Sequence, residues 1–158
     1  FDDQGAQFDK NGNLRNWWTE QDKKNFEQRT QRMVKTFDAV EVLPGLHVNG
    51  ALTCGENIAD HGGLKIAYQA FQKAQAQNPS TVNDGFTPEQ RFFLAYSLVW
   101  AGNARPEALR NRVRTDPHSP GRWRGNAALP QIDAWYKAFN IKKGNKLFVP
   151  KSKRVDVW

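Results

Sequence analysis

The sequence predicts a mostly α-helical fold with short hairpin or extended segments. Apolar residues recur at helical spacing through several long stretches, helix-start signals precede two of them, and proline- or glycine-bearing breaks separate them. At 158 residues the chain is long enough for one domain with a real core and too short to argue for two. Charged residues make up 25% of it and six residues are tryptophan, the balance of an ordered soluble domain rather than a disordered tail.

The opening Gln7–Leu14 stretch carries an Asn11-Gly12 turn between short flanks, which predicts a small hairpin or tight loop. Asp9, Asn11, Asn13 and Glu20 fall at four positions of a calcium-loop pattern, but Leu14 stands where that loop needs glycine, and calcium is set aside. A first long helix begins at Thr19, where Thr19-Glu20-Gln21-Asp22 resembles a capping box, and carries Phe26, Met33, Val34 and Phe37 on one side. Leu43-Pro44-Gly45 breaks it. A second helix runs from about Gly50 or Thr53 to Gln77, with Ile58, Leu64, Ala67, Tyr68 and Phe71 on or near its buried side.

Asn78 to Gly85 reads as loop. Thr87-Pro88-Glu89-Gln90 then starts a helix strongly, with a threonine cap, proline in the first turn and glutamine three residues after the cap. That helix, to about Gly102, is apolar nearly all round and is expected to be central to the core. Arg105-Pro106 opens a short basic helix to Thr115. Asp116–Gly121, with two prolines and a glycine, cannot be helical. A last helix spans about Pro130 to Phe139 before an extended, lysine-rich tail.

Composition also narrows function. No apolar run of about 18 residues occurs, so no membrane span is expected. Cys54 stands alone, which excludes an internal disulfide and any metal site built from several cysteines. The formal charge of +7 is spread along the chain without a recognisable nucleic-acid motif, so a solvated basic face is expected and no nucleic-acid partner.

The sharpest motif is Gly55-Glu56-Asn57-Ile58-Ala59-Asp60-His61-Gly62-Gly63. Glu56 and Asp60 sit one turn apart on one helix face, where two carboxylates repel unless a cation is near. Two glycines soon after cost about 1 kcal/mol each relative to alanine inside a helix, a cost that makes sense where another backbone packs close. Spacing alone favours a solvated acidic face.

Glu-Asn-Ile-Ala-Asp-x-Gly-Gly resembles the third-zinc-ligand motif of the neprilysin and endothelin-converting-enzyme family of zinc metallopeptidases. Phe1–Gly5, Asp9–Gly12 and Trp17-Trp18-Thr19 resemble the stretch that follows the family's H-E-x-x-H-G helix, and His47–Gly50 resembles the lead into the Glu motif. Val99–Gly102 with Arg105-Pro106, the Asp116–Arg124 signature, and Arg154–Trp158 as a natural C-terminus continue the likeness in order along the whole chain. The resemblance implies that residues 1–158 are the C-terminal portion of one neprilysin-like (gluzincin) catalytic domain.

It also implies roles. Glu56 would bind zinc, and Asp60 would hold a zinc-bound histidine in its tautomer. His118 would stabilise the oxyanion of the tetrahedral intermediate, with Asp116 holding its ring. Arg124 would bind a substrate backbone carbonyl beyond the scissile bond, and Trp100 would line the pocket just past it.

The departure from the family is the H-E-x-x-H motif itself, which this sequence lacks and which the resemblance places directly before Phe1. His61 lies about 140° round the helix from Glu56, and Cys54 and His61 share a face about 10 Å apart, so neither completes the site. One zinc ion is therefore expected in a site that is incomplete here, with an upstream part of the same domain as partner and oligopeptides as substrates. The chain alone is expected to be inactive, and to self-associate through apolar surface left around the Glu56 helix. The alternative is a non-catalytic peptide-binding or interaction domain derived from the same family. A single cysteine suggests a bacterial relative, in the cell envelope or secreted.

Overall fold

The structure is a computed structural model, and it describes residues 2–157. Phe1 and Trp158, to which the sequence reading gave the two ends of the family match, lie outside the described residues. The described residues form six α-helices and one two-stranded sheet, in agreement with the expected mostly α fold. The chain divides into two compact units.

The first unit comprises Phe1–Asp60, Ala104–Pro120 and Val155–Trp158. Its N-terminal loop closes as expected: Phe8 bridges to Leu14, and Gly12 takes φ +79°, which a side chain would resist. Helix α1 (Glu20–Asp38) is capped by Thr19, whose side chain accepts from the Asp22 backbone N–H, and it buries Phe26, Thr30, Met33 and Phe37 at three- to four-residue spacing. Trp18 stacks on Phe26 at 5.2 Å and donates its ring N–H to the Ala6 carbonyl at 2.6 Å, which ties the N-terminal loop to this helix.

A hairpin of β1 (Glu41–Leu43) and β2 (Leu46–His47) follows, turned by Pro44-Gly45. The helix thus ends before the Pro-Gly break, and the break serves the hairpin instead. Gly50 is pressed against α1, since a Cβ there would come 2.2 Å from the Val34 carbonyl oxygen. Its N–H donates to Asp38 at 2.7 Å. That contact fixes where helix α2 (Cys54–Gln77) begins. Helix α4 (Pro106–Thr115) spans the expected residues and buries Val113. Val155 and Val157 are fully buried, and Arg29 donates to the Val157 carbonyl at 3.0 Å.

The second unit comprises His61–Asn103 and Gly121–Arg154. Leu64, Phe93, Leu129, Ile132, Trp135 and Tyr136 form its core, with Tyr68 stacked on Phe93 at 5.2 Å. Helix α3 (Pro88–Val99) has the full reciprocal capping box at Thr87 and Gln90. It contributes Phe93 to that core and packs Phe92 and Tyr96 against it, as expected, but not every apolar side is covered: Leu98 and Val99 are 73% and 72% exposed. An apolar helix surface predicts burial only where something packs on every side of it.

Helix α5 (Gly121–Asn126) was not expected from the sequence. Helix α6 (Asp133–Phe139) is shorter than expected, because Leu129–Gln131 forms a 3-10 turn ahead of it. It stops at Asn140, which adopts a left-handed conformation at φ +51°.

Candidate functional site

In the first unit, Glu56 lies in the first turn of α2 and His118 in the proline-flanked loop that follows α4. The two prolines that forbid a helix there leave a short extended loop able to turn His118 toward α2. His118 Nε2 lies 3.1 Å from Glu56 Oε2, and His118 Nδ1 lies 2.8 Å from Asp116 Oδ1. The same Asp116 oxygen accepts the His118 backbone N–H at 2.9 Å, and Arg112 donates to the other at 3.3 Å. These bonds, the backbone N–H of His118 foremost and then its side chain, hold the Asp116 carboxyl below the usual carboxylate range.

The result is a carboxylate–imidazole–carboxylate array whose middle ring can donate from both nitrogens when protonated. His118 and Glu56 are both about two-fifths exposed, so the array faces solvent instead of being sealed in a core. Asp60 stands one turn beyond Glu56 on the same helix and is half-buried.

Directly behind the array is a run of buried polar side chains to which sequence reading gave no role. Ser119 donates to the Asn57 side-chain oxygen at 2.8 Å, the Asn57 amide donates to Thr53 at 3.0 Å, and Thr53 donates to the Asn49 carbonyl at 3.0 Å. Thr53, Asn57 and Ser119 are all buried. Asn57 and Ser119 each lie inside a family-like motif, next to Glu56 and His118, and that adjacency was the available signal.

In the second unit, Arg124 projects from α5 with its guanidinium 3.8 Å over the Trp100 ring, a cation–π stack. Gly121, the first residue of α5, exists as glycine for a steric reason: a Cβ would lie 2.5 Å from the Trp100 carbonyl oxygen. Tyr96 donates to the Arg124 carbonyl at 3.3 Å. One face of Trp100 is thus occupied by Arg124.

His47 is exposed, with Nδ1 at 3.1 Å from the Asp38 carbonyl. His61 and Cys54 are both buried, as a shared helix face requires. The Cys54 thiol is pushed up to about 12, first by burial and then by the nearby Asp3 and Asp2 carboxylates, so it stays protonated and unreactive at neutral pH. A cleft of about 500 Å³ opens beside the N-terminal loop, lined by Phe8, Arg15 and Trp17 among others, and none of its lining residues belongs to the array.

Comparison with known proteins defines the class. The model of peptidase family M13 matches residues 1–155, and the chain belongs to this family. Among curated relatives, neprilysin of Homo sapiens is 37% identical over 163 residues, covering all of this chain and 22% of that protein. The endothelin-converting enzyme homolog of Locusta migratoria is 38% identical over 150 residues, covering 93% of this chain and 20% of that one. Among solved structures, the zinc metalloprotease ZMP1 of Mycobacterium tuberculosis in complex with an inhibitor superposes with a TM-score of 0.93. It is 40% identical and covers 98% of this chain and 24% of that chain. The chain thus spans about a fifth of the length of the curated relatives it matches.

The family implies zinc, and the donor chemistry here fits it in part. A carboxylate such as Glu56 is a ligand type that zinc accepts. Among the described residues, however, no group of three or more His, Cys, Asp or Glu side chains is arranged to hold a metal ion. Among the described residues, too, no helix is long and apolar enough to cross a membrane.

Proposed function

We propose that this chain is part of one zinc metalloendopeptidase catalytic domain, residues 1–158 forming its C-terminal portion, and that the intact protein hydrolyses oligopeptides. The observation that carries the reading is the array of Glu56, His118 and Asp116, held at 3.1 and 2.8 Å, on a chain of the M13 family.

In this reading Glu56 supplies one ligand to a zinc ion, and Asp60 orients a histidine ligand contributed from outside this chain. Bound zinc would polarise the scissile carbonyl and activate water. His118 donates a proton-bearing nitrogen to the oxygen that becomes negatively charged in the transition state. Asp116 keeps the His118 ring turned so that Nε2 is the nitrogen presented, through the Nδ1 contact at 2.8 Å. Arg124, flattened on Trp100, would present its guanidinium to a peptide backbone carbonyl, and the indole would line the neighbouring side-chain pocket.

The 158 residues alone are expected to be inactive, since Glu56 needs further ligands from the rest of the domain. Exposed Ile66, Leu94, Leu98 and Val99 support a partner surface for that remainder and self-association without it.

The test is zinc binding by the intact protein, measured by competition with a chelator alongside hydrolysis of a fluorogenic peptide. Glu56→Ala is expected to lower zinc affinity by about two orders of magnitude or more and to abolish cleavage. An intact protein that binds peptides but neither holds zinc nor cleaves them would replace this reading with the non-catalytic binding domain.

A further inference from the structure

We propose that Asn57 and Ser119 are positioning residues, a buried brace that sets the distance between the Glu56 carboxylate and the His118 ring. This inference rests on the role assigned to His118 above and deepens it.

The His118–Glu56 contact joins two side chains that are each about two-fifths exposed. Exposed ion pairs contribute little to stability, so that contact cannot by itself hold a loop in register. Within the loop Asp116 holds the His118 N–H and ring, but Pro117 and Pro120 offer no backbone N–H with which the loop could bond to α2. What ties it to α2 is the Ser119 hydroxyl, 1% exposed, donating to Asn57, 2% exposed.

The brace has a direction. Hydroxyl 119 donates to the Asn57 oxygen, the Asn57 nitrogen donates to hydroxyl 53, and hydroxyl 53 donates to the Asn49 carbonyl. Residue 57 must therefore accept on one side and donate on the other, which an amide does and a carboxylate or an apolar group does not. Each end of the brace is one residue from a group of the array. A slack brace therefore moves His118 relative to Glu56 without removing either, and misplacements on the ångström scale are costly to catalysis.

The experiment compares Ser119→Ala, Thr53→Val, Thr53→Ser and His118→Ala in the intact protein. It measures kcat and KM for a peptide substrate and, in the zinc-free protein, amide hydrogen exchange across residues 116–121. Ser119→Ala is expected to lower kcat about tenfold, as loss of an outer supporting hydrogen bond does, with KM moving much less. Exchange across 116–121 should quicken while exchange in α3 stays unchanged. Thr53→Val should lower kcat in the same direction, and Thr53→Ser, which keeps the hydroxyl, should retain it.

If His118→Ala loses activity while Ser119→Ala keeps kcat within about twofold, the brace is overturned and the role of His118 stands. If His118→Ala also keeps kcat, that role falls and the brace's function with it. Should Ser119→Ala fail to fold, the Thr53 pair decides: equal kcat in the Val and Ser variants overturns the brace.

Discussion

Two clusters of this molecule each set an aromatic ring against carboxylates, and they differ in what surrounds the ring. In the second unit, Arg154 lies 3.4 Å over the Tyr136 ring, donates to the Val149 carbonyl at 3.0 Å and bonds Asp133 at 2.6 Å. The Tyr136 hydroxyl is shared among the Pro130 carbonyl, the Val149 carbonyl and the Val149 N–H. Nearly every polar capacity there is spent on fastening the C-terminal tail to α6. In the first unit, the Glu56–His118–Asp116 array keeps its ring and the Glu56 carboxylate toward solvent, and the saturated, buried bonds lie one layer behind, in Ser119, Asn57 and Thr53. The tail clamp sits among buried groups, whereas the array stands partly exposed with its most buried bonds in the neighbouring Ser119, Asn57 and Thr53.

That contrast predicts separable phenotypes. The largest effect is expected at His118: His118→Ala should cut kcat of the intact protein by about 10²–10³, the cost of losing one oxyanion donor. Its thermal midpoint should barely move, because the side chain is half-exposed and its pairings are at the surface. A large drop in the midpoint, with kcat of the folded fraction unchanged, would make the array a structural cluster like the other.

Tyr136→Phe should behave in the opposite way. Removing the hydroxyl strands the Val149 N–H and weakens the tail, for a loss of about 1–3 kcal/mol in denaturant unfolding. The kcat per folded molecule should be unaltered. A parallel fall in kcat would show that the tail clamp bears on catalysis and blur the distinction.

The smallest effect is a pH dependence. Hydrogen bonding by Arg154, and then by Lys151, lowers the Asp133 carboxyl below its ordinary value of 3.8. A carboxyl depressed in the folded state stabilises it above the unfolded value and loses that contribution as pH falls through the folded one. The side chain is about half exposed, so the contribution is expected to be under about 1 kcal/mol after solvent screening. Arg154→Met should flatten the acid-side decline in stability below about pH 4, measured by unfolding from pH 6 to pH 2. An unchanged acid limb would remove Asp133 from the account.

Much of this protein was legible in local sequence because its signals are local. Thr19 and Thr87 announce helix starts through bonds spanning three residues, and Pro106 with Arg105 sets α4. Chain order and motif content likewise disclosed the family, because its motifs are runs of near neighbours. Local signals failed where the determinant lay far along the chain. Helix α5 opens at a glycine that looks like a breaker, and becomes intelligible only with the Trp100 carbonyl lying against the space where its Cβ would be. The exposed face of α3 reads as core in sequence, because apolar character does not specify which neighbours arrive.

The same boundary runs through the site. Sequence by itself determined which groups are present: the carboxylates of Glu56 and Asp116, the imidazole of His118, and the Arg124 guanidinium. Tertiary structure alone decided that a ring at position 118 meets a carboxylate at 56 and is backed by a hydroxyl–amide bond between 119 and 57. The physical reason is range. Caps and turns are fixed by bonds between near neighbours, whereas a contact across some sixty residues exists only once packing has set helix α2 and the 116–120 loop side by side.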